Sequence, residues 1–211
     1  MTPAVRRGCA GVAASLVSLL LAACTSLPVS TPAAPATPLD WPQRRAELQG
    51  SSEFSLKGRL AVAAGEEGFS AGLRWLQRDR EALIELDGPF GVGGLRLQAR
   101  GDTIELTTSR GERLDGEAAR AELERRLGFA LPLDALRYWV RGVPDPARTA
   151  EERLAADGPR LTGLAQDGWI VDYTAYVDDP TGGPLPRRLS AVREGTRLRL
   201  VIEEWSAGSL R

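Results

Sequence analysis

The sequence predicts a mainly β, α+β fold: a curved antiparallel sheet with two helices that cover one of its openings. In both halves of the chain, apolar and polar residues alternate in short runs, with turn residues about every ten positions, as in antiparallel strands joined by tight turns. Between these runs lie two segments with apolar residues at helical spacing. Helices inserted between runs of strands can cover one opening of a curved sheet.

The N-terminal segment has the pattern of a secretory signal. Arg6 and Arg7 precede an apolar run over residues 12–23, which is shorter than the roughly 20 residues that span a bilayer. The run ends in Leu21-Ala22-Ala23-Cys24, which resembles the processing site of bacterial lipoproteins. We therefore predict that residues 1–23 are a signal peptide and that the mature protein begins at Cys24. An ordinary signal peptide that ends near a cysteine is the alternative.

The lipoprotein pattern implies an anchor and a location. Cys24 would carry a covalent diacylglycerol and an N-acyl chain, and two or three acyl chains anchor a protein durably where one holds only marginally. Thr25 replaces the aspartate of lipoproteins kept at the inner membrane, so the resemblance implies anchoring by the N-terminal lipid at the periplasmic face of the outer membrane. Residues 24–39 are rich in proline and alanine and are predicted to be a tether that reaches on the order of 40 Å.

The composition excludes several classes of function. The chain has no histidine, which removes the usual general base and the commonest metal ligand. Its 27 basic residues face 28 acidic ones, or 25 against 28 without Arg6 and Arg7, so no basic nucleic-acid surface is expected. We predict no enzyme activity, no metal and no cofactor other than the lipid. A glycosidase with two carboxylates stays formally possible, because acidic pairs such as Glu203-Glu204 occur.

The first half of the domain predicts one helix and five strands. Asp40 can cap a short helix that ends at Gly50, with Pro42 in its first turn. A hairpin with its turn at residues 64–68 follows. Its inward-facing residues are Phe54, Leu56, Leu60 and Val62 in the first strand and Phe69, Ala71, Leu73 and Trp75 in the second. Further strands are predicted at Ala82 to Leu86, at Leu95 and Leu97, and at Ile104 and Leu106.

The second half predicts two helices and four more strands. Asp115 can cap a helix that runs to Leu127, with Gly128 as its stop. A second helix is predicted from Pro132 to Gly142-Val143-Pro144, and its apolar side carries Leu133, Leu136, Trp139 and Val140. The polar stretch that follows, up to Pro159, predicts no element. Strands are then predicted over residues 161–165, 169–173, 187–192 and 197–205.

Large apolar side chains on a curved sheet indicate two features, each with a plainer alternative. Such a sheet can hold an apolar ligand, although the same aromatic residues can simply fill a core. Phe90 lies in a glycine-rich turn, where an exposed aromatic would mark a membrane or partner contact. Packing of Phe90 back onto the sheet is the alternative.

An ordered set of short motifs leads to a family. The set is Gly58-Arg59-Leu60-Ala61-Val62, Phe69-Ser70-Ala71, Trp75-Leu76-Gln77, Gly88-Pro89-Phe90-Gly91, Leu127-Gly128-Phe129-Ala130-Leu131-Pro132-Leu133, Leu136, Tyr138-Trp139-Val140, Gly142-Val143-Pro144, Gln166-Asp167-Gly168-Trp169, Leu185-Pro186 and Trp205. With these motifs the chain resembles the LolB family of outer-membrane lipoprotein receptors. The resemblance implies an unclosed antiparallel β-barrel with a helical lid around a hydrophobic cavity, like LolA and LolB. Residues 40–205 would form this single lipoprotein-binding domain, and residues 206–211 a C-terminal tail.

The resemblance also implies function, partners and sites. The protein would accept acylated lipoproteins from the periplasmic carrier LolA and insert them among outer-membrane phospholipids without ATP, as a monomer. Pro89, Phe90 and Gly91 would form the membrane-insertion loop, in which phenylalanine replaces the leucine expected from the family. The candidate residues for the acyl-chain cavity are Phe54, Leu60, Phe69, Trp75, Leu86, Leu97, Leu136, Trp139 and Trp169. The alternative function is an envelope scaffold lipoprotein that binds no acyl chains.

Overall fold

Eleven strands of the described chain form one antiparallel sheet. The structure is a computed structural model and describes residues 40–65, 67–88, 94–179 and 183–206. The strands are β1 (Glu53–Ala64), β2 (Glu67–Arg78), β3 (Glu81–Asp87), β4 (Leu95–Arg100), β5 (Thr103–Thr108), β6 (Arg113–Asp115), β7 (Glu151–Leu154), β8 (Leu161–Gln166), β9 (Trp169–Asp179), β10 (Gly183–Arg193) and β11 (Thr196–Ser206). The helices are α1 (Trp41–Gly50), α2 (Gly116–Leu127) and α3 (Leu133–Trp139).

The order of the strands makes the sheet an unclosed barrel. The order is β6-β5-β4-β3-β2-β1-β11-β10-β9-β8-β7, so β6 and β7 are the two edges and do not pair with each other. Pairing of β1 with β11 joins the N-terminal and C-terminal runs of strands in the middle of the sheet. The chain passes from one edge to the other through α2 and α3. The predicted fold class, mainly β with an unclosed antiparallel barrel and a helical lid, is confirmed.

Local sequence rules account for the ends of the helices. The side chain of Asp40 accepts a hydrogen bond from the Gln43 backbone N–H at 3.0 Å and caps α1 as predicted. Gly128 ends α2 with φ 80°, in the left-handed region that glycine adopts without strain. Asp115 precedes α2 but makes no capping hydrogen bond with its side chain. The second helix is shorter than predicted, because α3 ends at Trp139 and turns continue to residue 142.

The two edge strands, β6 and β7, were not predicted. They have three and four residues, too few for an alternating pattern to be visible in the sequence. β7 lies inside the polar stretch that predicted no element. Its residue Glu152 accepts a hydrogen bond from Trp41 Nε1 at 2.7 Å and pairs with Arg45 at 2.8 Å. These contacts attach the start of α1 to this edge of the sheet.

The concave side of the sheet is the core. Alternate residues of β1, β2, β4, β5 and β11 point inward and are buried, as the period of two predicts. Gly58 interrupts β1 at a bulge against β11, where a Cβ atom would lie 2.1 Å from the Val201 carbonyl oxygen. Only glycine allows the two backbones to approach this closely. Among the described helices, none is long and apolar enough to cross a membrane.

Candidate functional site: an apolar cavity under the helices

A cavity lies between the concave face of the sheet and the two helices α2 and α3. Every residue that lines it is aliphatic or aromatic, and the only aromatic one is Trp75. The helices and the segment between them contribute Leu123, Leu127, Leu131 and Leu136. The sheet contributes Leu60, Val62, Leu73, Trp75, Ile84, Leu86, Leu95, Leu97, Leu106, Leu198 and Leu200. The one polar side-chain atom of these residues, Trp75 Nε1, donates to Gln77 Oε1 at 3.0 Å. The wall therefore offers no free hydrogen-bond partner from a side chain and suits an apolar guest.

The cavity is small in this conformation. Its volume is about 40 Å³, whereas one water molecule needs roughly 10–15 Å³ in the same measure. It thus has room for only a few atoms, and the leucines of the helices pack against those of the sheet. In this structure α2 and α3 therefore leave little space between themselves and the sheet.

Five of the nine candidate residues lie on the wall of this cavity. They are Leu60, Trp75, Leu86, Leu97 and Leu136. The sequence prediction missed ten wall residues, among them Leu106, Leu127 and Leu200. The signal was present for nine of the ten, because each lies in a predicted strand or on the apolar stripe of a predicted helix, whereas Leu131 lies in the connection between the two helices. The prediction favoured aromatic residues, whereas leucine forms most of the wall.

The other four candidates, Phe54, Phe69, Trp139 and Trp169, lie away from the cavity wall. Phe54 packs against Trp75 and Trp205, with ring centroids 5.6 and 5.9 Å apart, respectively. Phe69 is half-buried at the margin of the core. In the structure these rings fill the core around the cavity, because flat rings pack efficiently against each other.

Trp139 and Trp169 form a separate aromatic cluster. Their ring centroids are 6.1 Å apart, and Phe129 packs on Trp169 at 5.6 Å. The guanidinium of Arg193 lies 4.8 Å from the centre of the Trp169 ring, within cation–π distance. This cluster joins the segment between the helices to β9 and β10.

Buried polar contacts fix the C-terminal end of α3. Gln166 on β8 is 3% exposed, and its Oε1 accepts hydrogen bonds from Trp139 Nε1 at 2.8 Å and from the Asp145 backbone N–H at 3.0 Å. Its Nε2 donates to the backbone oxygens of Asp145 and Arg148. The hydroxyl of Tyr173 donates to the Trp139 carbonyl at 3.0 Å, and burial raises the pKa of this phenol well above its usual value. The end of α3 is therefore tied to β8 and β9.

A second polar contact holds the loop after α3 against α1. The guanidinium of Arg141 donates to the carbonyl oxygens of Leu48 and Ser51 at the end of α1. Burial lowers the pKa of Arg141 to about 10, and the group lies over the ring of Phe54. α1 is thus part of the fixed support of α3.

By contrast, α2 has little polar attachment to the sheet. Its one hydrogen bond to a strand connection among the described residues runs from Arg120 to the Asp102 carbonyl oxygen, at 2.7 Å. Glu122 pairs within the helix with Arg125 and Arg126, whose hydrogen bonds lower the pKa of Glu122 to about 2. α2 is otherwise held by buried apolar side chains such as Leu123, which face the cavity.

Gly128 sets the position of the end of α2. A Cβ atom at Gly128 would lie 2.8 Å from the Cβ of Ala64 on β1, closer than such atoms approach. The absence of a side chain lets the helix end lie directly on the strand. Two predicted sites, the lipid-attachment residue Cys24 and the insertion loop of Pro89, Phe90 and Gly91, lie outside the described residues.

Comparison with known proteins places this architecture in a family. The family model described as outer membrane lipoprotein LolB matches residues 52–205. The outer-membrane lipoprotein LolB of Stutzerimonas stutzeri (strain A1501) is 35% identical over 199 residues, which cover 93% of this chain and 95% of that relative. That of Pseudomonas aeruginosa (strain LESB58) is 35% identical over 170 residues, which cover 81% of this chain and 82% of the relative.

Solved structures support the fold independently of sequence. A domain from Vibrio parahaemolyticus described as an outer membrane lipoprotein-sorting protein domain matches with a TM-score of 0.52, at 8% identity over 80% of this chain and 91% of that chain. At this identity the similarity concerns the fold alone. The family model and the relatives cover most of the chain, from before the first strand to the end of the last, and the chain therefore belongs to the outer-membrane lipoprotein LolB family.

Proposed function

We propose that this protein accepts acylated lipoproteins from the periplasmic carrier LolA and inserts them into the inner leaflet of the outer membrane. The observation that carries the proposal is the cavity under α2 and α3, whose wall is entirely apolar. A wall of this kind binds hydrocarbon and gives no specific contact to a polar head or to the protein part of the cargo. It would therefore accept many lipoproteins through the one feature they share, the acyl chains.

The cost of exposing an acyl chain explains why a cavity is needed. A chain of about 15 methylenes costs on the order of 12 kcal/mol in water, at about 0.8 kcal/mol for each CH₂ group. A periplasmic transfer step must therefore pass the chain from one apolar site to the next. If affinity increases from carrier to receptor to membrane, transfer proceeds without ATP.

The closed cavity requires that the lid opens before cargo enters. About 40 Å³ cannot hold an acyl chain, so helices and sheet have to separate. The polar contacts favour α2 as the part that moves, since Gln166 and Tyr173 fix the end of α3 while α2 depends mainly on apolar contacts. An incoming acyl chain replaces those apolar contacts with equivalent ones, and this keeps the cost of opening low.

Delivery to the membrane is assigned to the N-terminal lipid and to the loop that carries Phe90. The lipid on Cys24 would keep the receptor at its target membrane, and Phe90 would enter the bilayer beside the departing cargo. We expect Phe90→Glu to leave transfer from the carrier largely intact and to block incorporation into liposomes. Phe90→Leu, which preserves an apolar tip, is the matched control. Equal loss of both steps in Phe90→Glu would contradict this role.

The proposal is tested by following cargo from carrier to liposome. The chain from residue 24 onward, with Cys24→Ala, is mixed with LolA loaded with a radiolabelled lipoprotein, and liposomes are then added. We expect the label to move to this protein and onward to the liposomes. If a folded protein takes no cargo from the carrier and binds no apolar fluorescent probe, the alternative of an envelope scaffold is supported instead.

A further inference from the structure

The convex face of β1, β10 and β11 carries a group of arginines that the proposed function does not use. Arg59 on β1, Arg188 on β10, and Arg197 and Arg199 on β11 all point outward and are exposed. We call these four residues the arginine face. Their register brings them together: Arg59 and Arg188 flank Val201 from its two sides, and Arg199 lies two residues from Val201 along β11.

The charges of this face are poorly compensated. Arg59 pairs with Glu203 at 2.9 Å. In the described part of the chain, Arg188, Arg197 and Arg199 take part in no ion pair. The neighbouring convex surface is different, because Lys57, Arg74 and Arg96 all pair with glutamates on adjacent strands. A local positive surface therefore exists on a chain whose formal net charge is −1.

The residues between the arginines indicate what kind of partner fits. Arg199 lies between Ser190 and Ala61, and Arg197 between Val192 and Ala63. These side chains are small or only moderately apolar, and no aromatic residue stands among them. Protein interfaces depend on several buried aromatic or large apolar anchors, whereas the rows of Arg197 and Arg199 carry one exposed large apolar residue in the described chain, Ile170 beyond Val192. A flat layer of phosphate groups needs no anchor, and guanidinium groups bind phosphate with two parallel hydrogen bonds.

The position of the face relative to the sheet agrees with a membrane partner. Asp87, the last residue of β3, shares a cross-strand row with Gly72 and Arg59. Arg199 and Arg197 lie two and four rows further, toward the end of the sheet from which the β3–β4 connection leaves. The arginines thus extend toward the end of the barrel to which the proposed function assigns membrane contact.

From these observations we infer that the arginine face binds the headgroups of anionic phospholipids and orients the barrel on the membrane. The inference rests on the proposed function, in which the protein works beside the membrane that anchors it. In the proposed function a lipid on Cys24 would attach the protein to the membrane without fixing the orientation of the barrel. Attraction between the arginine face and a negatively charged leaflet would hold the convex strands toward the membrane.

The test measures adsorption to vesicles without cargo or carrier. The chain from residue 24 onward, with Cys24→Ala, is floated with vesicles of phosphatidylethanolamine that contain or lack phosphatidylglycerol. Each arginine near an anionic surface strengthens adsorption about fivefold. We therefore expect the triple variant Arg188→Gln, Arg197→Gln, Arg199→Gln to partition on the order of 100-fold more weakly to the anionic vesicles. High salt should reduce the difference by screening.

A second triple variant controls for total charge. Arg78→Gln, Arg80→Gln and Arg100→Gln remove the same charge from β2, from the turn after β2 and from β4, at the end of the sheet opposite to the β3–β4 connection, where all three residues are exposed. This control should retain most of the adsorption, and urea unfolding should show that both triple variants are folded. Equal loss in both variants, or unchanged adsorption of the first, would overturn the inference. So would unchanged adsorption combined with weaker uptake of cargo from LolA, because the face would then bind an acidic protein surface.

The two proposals can fail separately. If cargo transfer fails while adsorption depends on the arginine face, the membrane contact stands without the receptor function. If cargo transfer succeeds and the triple variant of the arginine face adsorbs to anionic vesicles as strongly as the unchanged protein, only the present inference is wrong.

Discussion

Replacement of Gln166 should show how strongly the end of α3 is fixed. Gln166→Met keeps the length of the side chain and removes all four hydrogen bonds of the amide. Trp139 Nε1–H and the Asp145 backbone N–H are then left buried without an acceptor, since these two residues are 0% and 6% exposed. Each buried unsatisfied donor costs about 1–3 kcal/mol. We expect the free energy of unfolding to fall by about 3–5 kcal/mol once the two freed carbonyl groups are included.

Urea unfolding followed by tryptophan fluorescence measures this change. Gln98→Met is the matched control, because Gln98 lies on the convex face of β4 and makes no described side-chain hydrogen bond. It should change stability by less than about 0.5 kcal/mol. A midpoint shift with an unchanged slope would show that stability changed rather than the extent of unfolding.

A double-mutant cycle with Trp139→Phe isolates the indole hydrogen bond. In the Trp139→Phe background the indole N–H is absent, so Gln166→Met leaves only the Asp145 N–H without an acceptor. The double variant should therefore lose about 1–3 kcal/mol less free energy of unfolding than the two single variants lose together. A cost of Gln166→Met below about 1 kcal/mol, or strict additivity in the cycle, would refute the conclusion that this network fixes α3.

Three further predictions concern α2 and the cavity. Gly128→Ala should lower the free energy of unfolding in urea by about 1–2 kcal/mol for the left-handed backbone and by a further amount for the clash with β1. Gly111→Ala is the control and should show only the backbone cost, because Gly111 has φ 79° and no atom within 4 Å of a Cβ placed there. Equal losses in the two variants would contradict the close packing of α2 on β1. Leu127→Asn should weaken binding of an apolar fluorescent probe at least tenfold, because it places an amide on the cavity wall. The control Leu154→Asn changes a residue that is 50% exposed and should leave probe binding unchanged. Equal probe affinities of the two variants would refute the cavity as the binding site. Two arginines of α2 lower the pKa of the Glu122 carboxyl to about 2. The ionised carboxyl should therefore stabilise α2 at pH values above its ordinary pKa of 4.5, and this stabilisation should be lost as the pH falls toward 2. A midpoint near pH 4.5 in an NMR titration of Glu122 would contradict the ion pair.

Local rules made much of the sheet predictable. The alternation in β1, β2, β4, β5 and β11 gives the correct inward face at each predicted residue, because successive side chains of a strand point to opposite sides wherever the strand lies. The ends of α1 and α2 were also predictable, since Asp40 and Gly128 act on the backbone next to them. These features depend on residues within a few positions of each other.

The sequence by itself therefore determined the strand faces, the helix ends and the apolar character of the interior. The tertiary structure alone decided which of the apolar residues surround empty space and which pack together. Leu106 and Trp139 are both 0% exposed, yet Leu106 lines the cavity and Trp139 lies outside it, hydrogen-bonded to Gln166. The short edge strands β6 and β7 were likewise invisible in the sequence. The reason is that packing and edge pairing depend on side-chain volumes and backbone partners brought together from distant parts of the chain, which local periodicity does not encode.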